Sequence, residues 1–250
     1  MRVAALYDIH GNLPALDAVL AEVARERVDL VVVGGDVGAG PMPAETLDRL
    51  AGADAPIRWV MGNGDREVVE AFDAGAAPAE ASEPFERLTR WAASRLERRH
   101  RDLLAGFEPT VTVDVDGLGP TLFCHGSPRS DSESLTAVTP EDRLRRVLDG
   151  VAEEVVVCGH THRQFDLAAD RRRVVNAGAV GMPYEGDAAA FWALLGPAVE
   201  LRRTVYDVRA AAAAMRATGA PDIDELILRE SLLEPADPDA VARFFEDAAR

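Results

Sequence analysis

The sequence contains no lysine, so all 27 of its basic residues are arginine. Because the chain is also rich in alanine, we interpret this as a coding bias rather than as chemistry. The 43 acidic residues give a net charge of −16 and a pI near 4.7. Such a charge argues against nonspecific binding to nucleic acid or to anionic lipid. We therefore expect neither a nucleic acid duplex nor a membrane among the partners.

Cysteine is scarce, with Cys124 and Cys158 each lying in an apolar run. Two such residues are most simply small core side chains in a reducing compartment. The sequence also lacks any run near the ~20 apolar residues that a membrane-spanning helix needs. Its first apolar segment, residues 1–7, is too short for a signal peptide and is followed at once by Asp8. These features predict a soluble, cytoplasmic protein.

Apolar residues are plentiful, at 48% of 250 residues, which is enough for a substantial core. Short apolar runs typical of buried strands occur at 3–7, 30–33 and 57–61. A helical spacing of apolar residues over 16–23 follows the first run, after the good N-cap residue Asn12. This alternation predicts an α/β fold with parallel strands joined by helical crossovers.

The alternation stops at residues 66–106, whose pattern is helical. We predict that this segment is a helical cap inserted into a domain spanning 1–205. Later apolar runs predict a hairpin and further strands, so that the sheet finishes antiparallel. The apolar pattern predicts helices at residues 206–218 and 222–250. We expect them to form an acidic C-terminal extension (206–250) packed on the domain.

Five apolar runs end in residue types that bind metal ions. These residues are Asp8, His10, Asp36, Asn63, His125, His160 and His162. Residues two apart in an extended chain point the same way, so the members of each Asp-x-His or His-x-His pair are expected to face one point. Since sites in α/β sheets gather at the carboxyl ends of strands, we expect all seven to converge. Two carboxylates, one amide and four imidazoles suit two ions roughly 3.5–4 Å apart, and without thiolates they favour Mn²⁺, Fe or Zn²⁺ over Ca²⁺.

The order of these motifs resembles that of the calcineurin-like metallophosphoesterase superfamily, and most of all its small bacterial phosphodiesterase branch. The motifs are Asp8-x-His10, Gly35-Asp36, Gly62-Asn63, His125-Gly126 and Gly159-His160-x-His162. The resemblance implies an αββα sandwich of two mixed β-sheets flanked by helices, with the site at its edge. It also implies two metal positions joined by a bridging ligand: Asp8, His10 and His162 for one, Asn63, His125 and His160 for the other, and Asp36 as the bridge.

By the same resemblance, the protein is expected to hydrolyse small phosphodiesters through a metal-activated bridging water, with Asp36, Asn63 and His125 in the catalytic set. The expected cofactors are two divalent metal ions, with Mn²⁺ preferred and Fe or Zn²⁺ as alternatives. A small phosphoester is the expected partner, and the sequence makes no prediction of the oligomeric state. Two alternative functions are hydrolysis of nucleoside polyphosphates or phosphomonoesters, and a non-catalytic interaction scaffold.

The chain departs from the family pattern at Gly64, where the fuller motif has a histidine that assists the leaving group. His100 is the one imidazole without a metal assignment, so we expect it either to take part in substrate binding or to be a surface residue. Arg66 is expected either to hold a phosphate oxygen or to be a surface arginine that begins a helix. The arginine cluster at 85–101 predicts either a patch for an anionic substrate or a solvated helix face.

Overall fold

Two five-stranded sheets make up the centre of the computed structural model, which describes residues 1–75 and 77–249. The first sheet contains β1 (Val3–Leu6), β2 (Leu30–Val33), β3 (Ile57–Trp59), β9 (Ala190–Leu195) and β10 (Val199–Thr204), in the order β10-β9-β1-β2-β3. The second contains β4 (Thr110–Val115), β5 (Gly119–Cys124), β6 (Val155–Cys158), β7 (Phe165–Ala169) and β8 (Arg172–Asn176), in the order β4-β5-β6-β8-β7. In the first sheet β1, β2 and β3 pair in parallel, while β9 and β10 add antiparallel pairings at one side. In the second sheet β5, β6 and β8 pair in parallel, with antiparallel β4 and β7 at the two edges, so both sheets are mixed.

The two sheets pack face to face through alternate residues of their strands. Val3, Ala5 and Tyr7 share one buried cluster with Phe123 and Val157 of the second sheet. The Tyr7 hydroxyl donates a 3.0 Å hydrogen bond to the Val157 carbonyl and so joins the two layers. The intervening residues of β1 pack in a separate cluster with the helices, as the period of two along a strand requires. The predicted sandwich of two mixed sheets flanked by helices is confirmed.

The helices begin and end largely where capping residues and prolines require. They are α1 (Leu13–Glu26), α2 (Pro43–Ala51), α3 (Asn63–Ala74), α4 (Pro84–Ser94), α5 (Arg98–Ala105), α6 (Glu141–Val147), α7 (Val208–Ala217) and α8 (Pro238–Ala248), with a 3₁₀ helix at Pro78–Glu80 and a π-helix at Asp224–Leu233. Asn12 caps α1 by accepting the Ala15 N–H at 3.2 Å. Within the described residues, none of these helices combines the length and apolar character needed to cross a membrane.

The segment 66–106 forms most of α3 and all of α4 and α5. Its buried residues Val68, Ala92 and Leu104 lie in the same cluster as Leu6 of β1. This segment is therefore largely a helical layer on the first sheet, and among its described residues Glu67 of α3 and the first half of α4 line the cleft at the strand ends. Ala76 lies outside the described residues, and the division into a domain and a cap stays a prediction.

The C-terminal residues pack on the rest of the protein through an apolar cluster. Met215 of α7 and Ile227 and Leu228 of the π-helix lie in one cluster with Leu88 and Met182. The predicted helix over 222–250 is wrong in one respect, because it is interrupted between the π-helix and α8. A proline disfavours helical backbone at the preceding residue and is itself favoured at the start of a helix, and prolines stand at positions 235 and 238. Arg250 lies outside the described residues, and the boundary of the extension stays a prediction.

Candidate metal centre

The seven candidate ligands lie in the turns that follow β1, β2, β5 and β6 and at the start of α3. Five of them have left-handed backbone, with φ of 51° at Asp8, 45° at His10, 55° at Asp36, 65° at His160 and 57° at His162. Such values are uncommon outside glycine and concentrate at functional sites. The expectation of extended chain at the two pairs is therefore wrong, because turns rather than the period of a strand aim these side chains.

Asp8, His10 and His162 form one group of possible metal ligands, with donor atoms within 4.8 Å of one another. The two Nε2 atoms are 3.2 Å apart, and His162 Nε2 is 3.3 Å from Asp8 Oδ1. Nδ1 of His10 is 2.9 Å from the Ala39 carbonyl oxygen, and Nδ1 of His162 is 2.7 Å from that of Met182. Because a carbonyl oxygen only accepts, each Nδ1 carries a hydrogen, and in the neutral rings the Nε2 lone pairs face each other. A cation bound by both nitrogens would remove that repulsion.

Asp8, Asp36 and His125 form a second group within the same distance limit. Asp36 Oδ2 is 3.5 Å from His125 Nε2 and 3.6 Å from His10 Nε2, so it lies between the two groups. This position suits the bridging role that the resemblance implies. Asp8 also belongs to both groups, since its Oδ1 is 3.8 Å from His125 Nε2. Sequence reasoning assigned Asp8 to one ion alone and missed this second proximity.

Three buried ligand atoms have no hydrogen-bond partner in the described part of the chain: Asp8 Oδ1, Asn63 Oδ1 and His125 Nε2. An unpaired buried polar atom costs about 1–3 kcal/mol, so its position calls for an explanation. Nδ1 of His125 lies 2.9 Å from the Gly34 carbonyl oxygen, which leaves Nε2 as the lone-pair donor of the neutral ring. These oxygen and nitrogen atoms fit divalent cations such as Mn²⁺, Fe or Zn²⁺.

His160 adds a further imidazole at the edge of the second group. Its ring centroid is 5.2 Å from that of His125. Its backbone N–H donates a 2.9 Å hydrogen bond to Asp8 Oδ2, so the turn that carries His160 also orients the Asp8 carboxylate. Asn176 holds this turn in place through a 2.7 Å hydrogen bond from its amide to the Gly159 carbonyl.

Burial and mutual attraction determine the charges in this centre. Burial opposes ionisation of Asp36, but attraction to His125 outweighs it and lowers the pKa of the carboxyl. Burial likewise opposes ionisation of Asp8, but the neighbouring imidazoles lower its pKa. Burial also disfavours the charged form of His125, yet the two carboxylates raise its pKa to about 10. Burial and the charge of His125 lower the pKa of His160 to about 4. In the polypeptide alone, two carboxylates thus face one imidazolium, and the excess negative charge attracts cations.

Glycines let the ligand turns approach one another closely. A side-chain carbon at Gly62 would lie 2.2 Å from Asp36 Oδ1. At Gly35, where φ is 101°, it would lie 2.6 Å from His125 Nδ1. The glycine before each of these ligand motifs is therefore needed for contact between turns, and at Gly35 also for the backbone conformation.

Asp65 connects the turn after β2 to the start of α3, and sequence reasoning missed it. Its Oδ1 accepts the backbone N–H groups of Val37 and Gly38, both at 2.9 Å. Burial and the nearby Asp36 raise the pKa of this carboxyl to about 7. The sequence could have indicated this role, because an acidic residue at the third helical position can accept the N–H of the N-cap residue, as in one half of a capping box. Asp65 accepts the Gly62 N–H in this way at 3.4 Å.

The candidate ligands open into a cleft with a cavity volume of about 160 Å³. Its described lining residues are His10, Asp36, Ala39, Asn63, Gly64, Glu67, Phe85, Leu88, Thr89, His160, His162, Met182, Tyr184, Ile227 and Phe245. The wall thus includes α4, the π-helix and α8 in addition to the ligand turns. Gly64, at the place of the family's histidine, presents no side chain to it.

Neither predicted substrate-binding residue is among the described residues that line the cleft. Arg66 Nε donates a 2.8 Å hydrogen bond to Asp131, so its charge is already paired. His100 is only 2% exposed; its Nδ1 accepts the Glu97 N–H at 3.0 Å, and its Nε2 is 3.1 Å from Asp48. Of the two interpretations of Arg66, the arginine at a helix start fits this geometry. His100 caps α5 and is buried, so it is not the surface residue that was one of its two alternatives.

The arginine cluster at 85–101 also lies outside the described lining of the cleft. Most of its members form ion pairs: Arg87–Asp222, Arg90–Glu86, Arg98–Asp102, Arg99–Asp48 and Arg101–Asp73. Arg95 lies over the ring of Trp91, with its guanidinium carbon 5.2 Å from the centroid. Of the two interpretations from the sequence, the solvated helix face fits and the substrate patch does not.

Comparison with known proteins agrees with this geometry. A model of the calcineurin-like phosphoesterase superfamily domain matches residues 1–195. The chain belongs to this superfamily. The convergence of Asp and His residues described above therefore lies in a calcineurin-like phosphoesterase domain, and its two groups could hold the divalent metals typical of that family.

Individual relatives cover most of this calcineurin-like chain. An uncharacterised protein of Methanocaldococcus jannaschii, MJ0912, is 23% identical over 235 residues, covering 84% of this chain and 89% of its own. The crystal structure of the hypothetical protein PH1004 from Pyrococcus horikoshii gives a TM-score of 0.78 at 19% identity, over 88% of this chain and 94% of that one. A metallophosphoesterase from Sphaerobacter thermophilus gives 0.69 at 27% identity, over 89% and 95%. These similarities support the fold.

Proposed function

We propose that the protein is a metal-dependent phosphodiesterase that hydrolyses small phosphodiesters. The observation that carries this proposal is the convergence of five Asp and His residues in two ligand groups, with Asn63 and His160 lining the same cleft. Three of the seven hold buried atoms without a partner in the described chain. We assign two divalent cations to the site, Mn²⁺ first, with Fe or Zn²⁺ as alternatives. The proposed ligands are Asp8, His10 and His162 for one cation, Asn63, His125 and His160 for the other, and Asp36 for both.

When bound, two such cations would neutralise the phosphoryl oxygens and lower the pKa of an attacking water. The chain's part is to hold the ligands in place before substrate arrives. Carbonyl oxygens of Ala39 and Met182 fix the rings of His10 and His162, so that each Nε2 faces the site. The Gly64 N–H holds Asp36 Oδ1 at 2.8 Å and leaves Oδ2 directed toward the imidazoles. Such preorganisation avoids reorganisation during the reaction.

The cleft offers no imidazole at position 64 to protonate the departing oxygen, and His100 is held elsewhere. A positioned general acid contributes roughly 10²–10⁴ in rate. We therefore propose that diesters with good leaving groups, such as aryl esters, are hydrolysed faster than alkyl monoesters. The rate should depend steeply on the pKa of the leaving group.

The direct test is metal analysis and kinetics on protein purified without chelator. We expect close to two divalent ions per chain by inductively coupled plasma mass spectrometry. Hydrolysis of bis(4-nitrophenyl) phosphate should be lost with EDTA and restored best by Mn²⁺. Activity that survives complete metal removal would overturn the proposal.

A substrate panel separates the alternatives named above. Faster turnover of nucleoside polyphosphates or phosphomonoesters than of diesters would favour those substrates instead. Metal-loaded protein that is inert on the whole panel, yet recovers a stoichiometric partner from a cell extract, would favour a scaffold.

A further inference from the structure

The cleft has an aromatic and aliphatic wall beside its ligands. The residues of this apolar wall are Phe85, Leu88, Met182, Tyr184, Ile227 and Phe245. They come from α4, from the turn before β9, from the π-helix and from α8. Four separate parts of the chain therefore converge on one apolar surface next to the candidate metal centre.

Two rings of the apolar wall stand directly against candidate ligands. Tyr184 is stacked on His162, with ring centroids 5.2 Å apart and an interplanar angle of 13°. Phe245 meets His160 edge to face at 6.2 Å and lies 6.5 Å from Tyr184. A group attached to a phosphoryl at the metal centre would therefore be within reach of aromatic rings.

Phe245 is held in place by its neighbour on α8. The Glu246 carboxylate is 4% exposed and accepts hydrogen bonds from Thr139 Oγ1 at 2.6 Å and Thr136 Oγ1 at 3.2 Å. Arg143 pairs with the other carboxylate oxygen at 2.9 Å. A buried carboxylate with this many partners fixes the helix that carries it, so the position of Phe245 in the apolar wall is fixed as well.

Phe85 marks the mouth of the cleft. It exposes 58% of its surface while lining the cleft, and within the described residues no other ring stacks on it. An aromatic side chain normally buries most of its surface, and a ligand ring at the mouth would cover this one.

The charges of the cleft restrict the rest of the ligand. Among its described lining residues there is no arginine, and the chain has no lysine. The acidic residues Asp36 and Glu67 do line it. A phosphoryl group at the metal centre can be neutralised there, whereas a second phosphate or a carboxylate would meet no cationic side chain and would be repelled by Glu67.

We propose that the cleft selects phosphoesters with a single phosphoryl group and one flat apolar substituent, and that Phe245 and Phe85 contact that substituent. The proposal rests on the phosphodiesterase function proposed above. A cavity of roughly 150 Å³ holds one benzene ring, so a cleft with a volume of about 160 Å³ suits a small substrate rather than a nucleic acid strand.

The test keeps the leaving group constant and varies the retained group. The substrates are the benzyl, cyclohexylmethyl and methyl 4-nitrophenyl phosphates, all releasing 4-nitrophenolate. For the wild-type protein, kcat/KM should be about tenfold higher for the benzyl than for the methyl ester, with the cyclohexylmethyl ester between them, because ring stacking adds to apolar contact. Phe245→Ala should reduce the benzyl-to-methyl ratio to about two.

Phe244→Ala is the matched control. It removes the same side chain one residue earlier on α8, where the ring is 70% exposed and lies outside the described lining of the cleft. Its ring meets that of Phe245 edge to face at 5.8 Å but does not line the cleft, so its benzyl-to-methyl ratio should stay close to that of the wild type. Phe85→Ala is the second test variant. Because the Phe85 side chain is exposed, its removal should not disturb folding, and it should also lower the benzyl-to-methyl ratio.

Binding provides a readout that is independent of turnover. Calorimetric titration of the Mn²⁺-loaded protein with benzylphosphonate and methylphosphonate should show tighter binding of the benzyl compound, and Phe245→Ala should reduce that difference. Equal kcat/KM values for all three esters would overturn this inference while leaving the phosphodiesterase function intact. The same would follow if Phe244→Ala lowered the benzyl-to-methyl ratio as much as Phe245→Ala does. Failure to hydrolyse any diester would overturn the function, and the phosphonate titration would still decide the role of the apolar wall.

Discussion

The backbone N–H of Gly64 donates a 2.8 Å hydrogen bond to Asp36 Oδ1, so the residue that stands in place of the family's histidine also holds the proposed bridging ligand. The same residue lies tight against its surroundings. A side-chain carbon on Gly64 would be 2.9 Å from the Ala39 side chain and 3.0 Å from Asp36 Oδ1. Position 64 therefore affects both the proton supply and the position of a ligand.

We predict that Gly64→His alone lowers activity, because the new side chain would push against Ala39 and Asp36. The double variant Gly64→His with Ala39→Gly removes the first of these contacts and should recover activity. It should also flatten the dependence of rate on leaving-group pKa, measured with a series of substituted aryl methyl phosphates. A single variant that already flattens this dependence at full metal content would contradict the expected crowding at position 64.

The second prediction concerns the charge between the two proposed metal positions. Asp36→Asn should lower kcat by roughly 10²–10³, since it removes a negative charge placed to contact both cations. Asn63→Ala should cost less, because it removes a neutral ligand of one cation. Metal content and kcat measured together test this order. Asp48→Asn, the same chemical change outside the cleft, serves as the control, and equal losses in all three variants would refute the assignment.

The third prediction is that metal binding releases protons. In the metal-free protein the pKa of His125 is raised to about 10, so its ring is protonated at neutral pH. A histidine must lose its second ring proton before it can bind a metal ion, so binding displaces about one proton and the apparent affinity should rise with pH up to about 10. Mn²⁺ titrations at pH 7.5 in buffers of different ionisation enthalpy measure this release. His100→Gln should leave it unchanged, whereas a wild-type titration without proton release would contradict the protonation state.

The fourth prediction tests the interpretation of the arginine cluster as a solvated helix face rather than a substrate patch. Replacing Arg95, Arg98 and Arg99 with glutamine should leave KM for a diester within about twofold, because these residues contact Trp91 and acidic side chains rather than the cleft. The melting temperature should fall slightly, since exposed ion pairs contribute about 0–1 kcal/mol each. A large rise in KM with unchanged metal content would show that the arginine cluster takes part in substrate binding.

Sequence patterns predicted the parts of this protein that depend on local order along the chain. Short apolar runs marked the strands, and the residue types after them marked the ligand turns, because strand ends in such sheets meet at one edge. The left-handed turns at Asp8 and His160 were not predicted, since a period of two describes extended chain only. His100 was misjudged because spacing in sequence does not reveal a helix-capping contact with Glu97.

The remaining features depend on tertiary contacts between distant segments. Phe245 reaches His160 only because α8 docks through Glu246 onto residues 136–143. No local pattern in the sequence predicts such docking, because the sequence does not distinguish a buried, paired glutamate from an exposed one. The sequence predicted that the tail packs on the domain, but not which of its residues would reach the cleft.

The docked helix α8 has a consequence for how this superfamily can diversify. Every candidate ligand lies within the 1–195 portion that defines the superfamily, whereas Ile227 and Phe245 of the apolar wall lie beyond it. Part of the apolar wall is thus encoded outside the stretch that carries the candidate ligands. Under the function proposed above, a new tail on the same 1–195 portion would alter which phosphoester enters without changing a candidate ligand, so homologues with matching ligand motifs need not share a substrate.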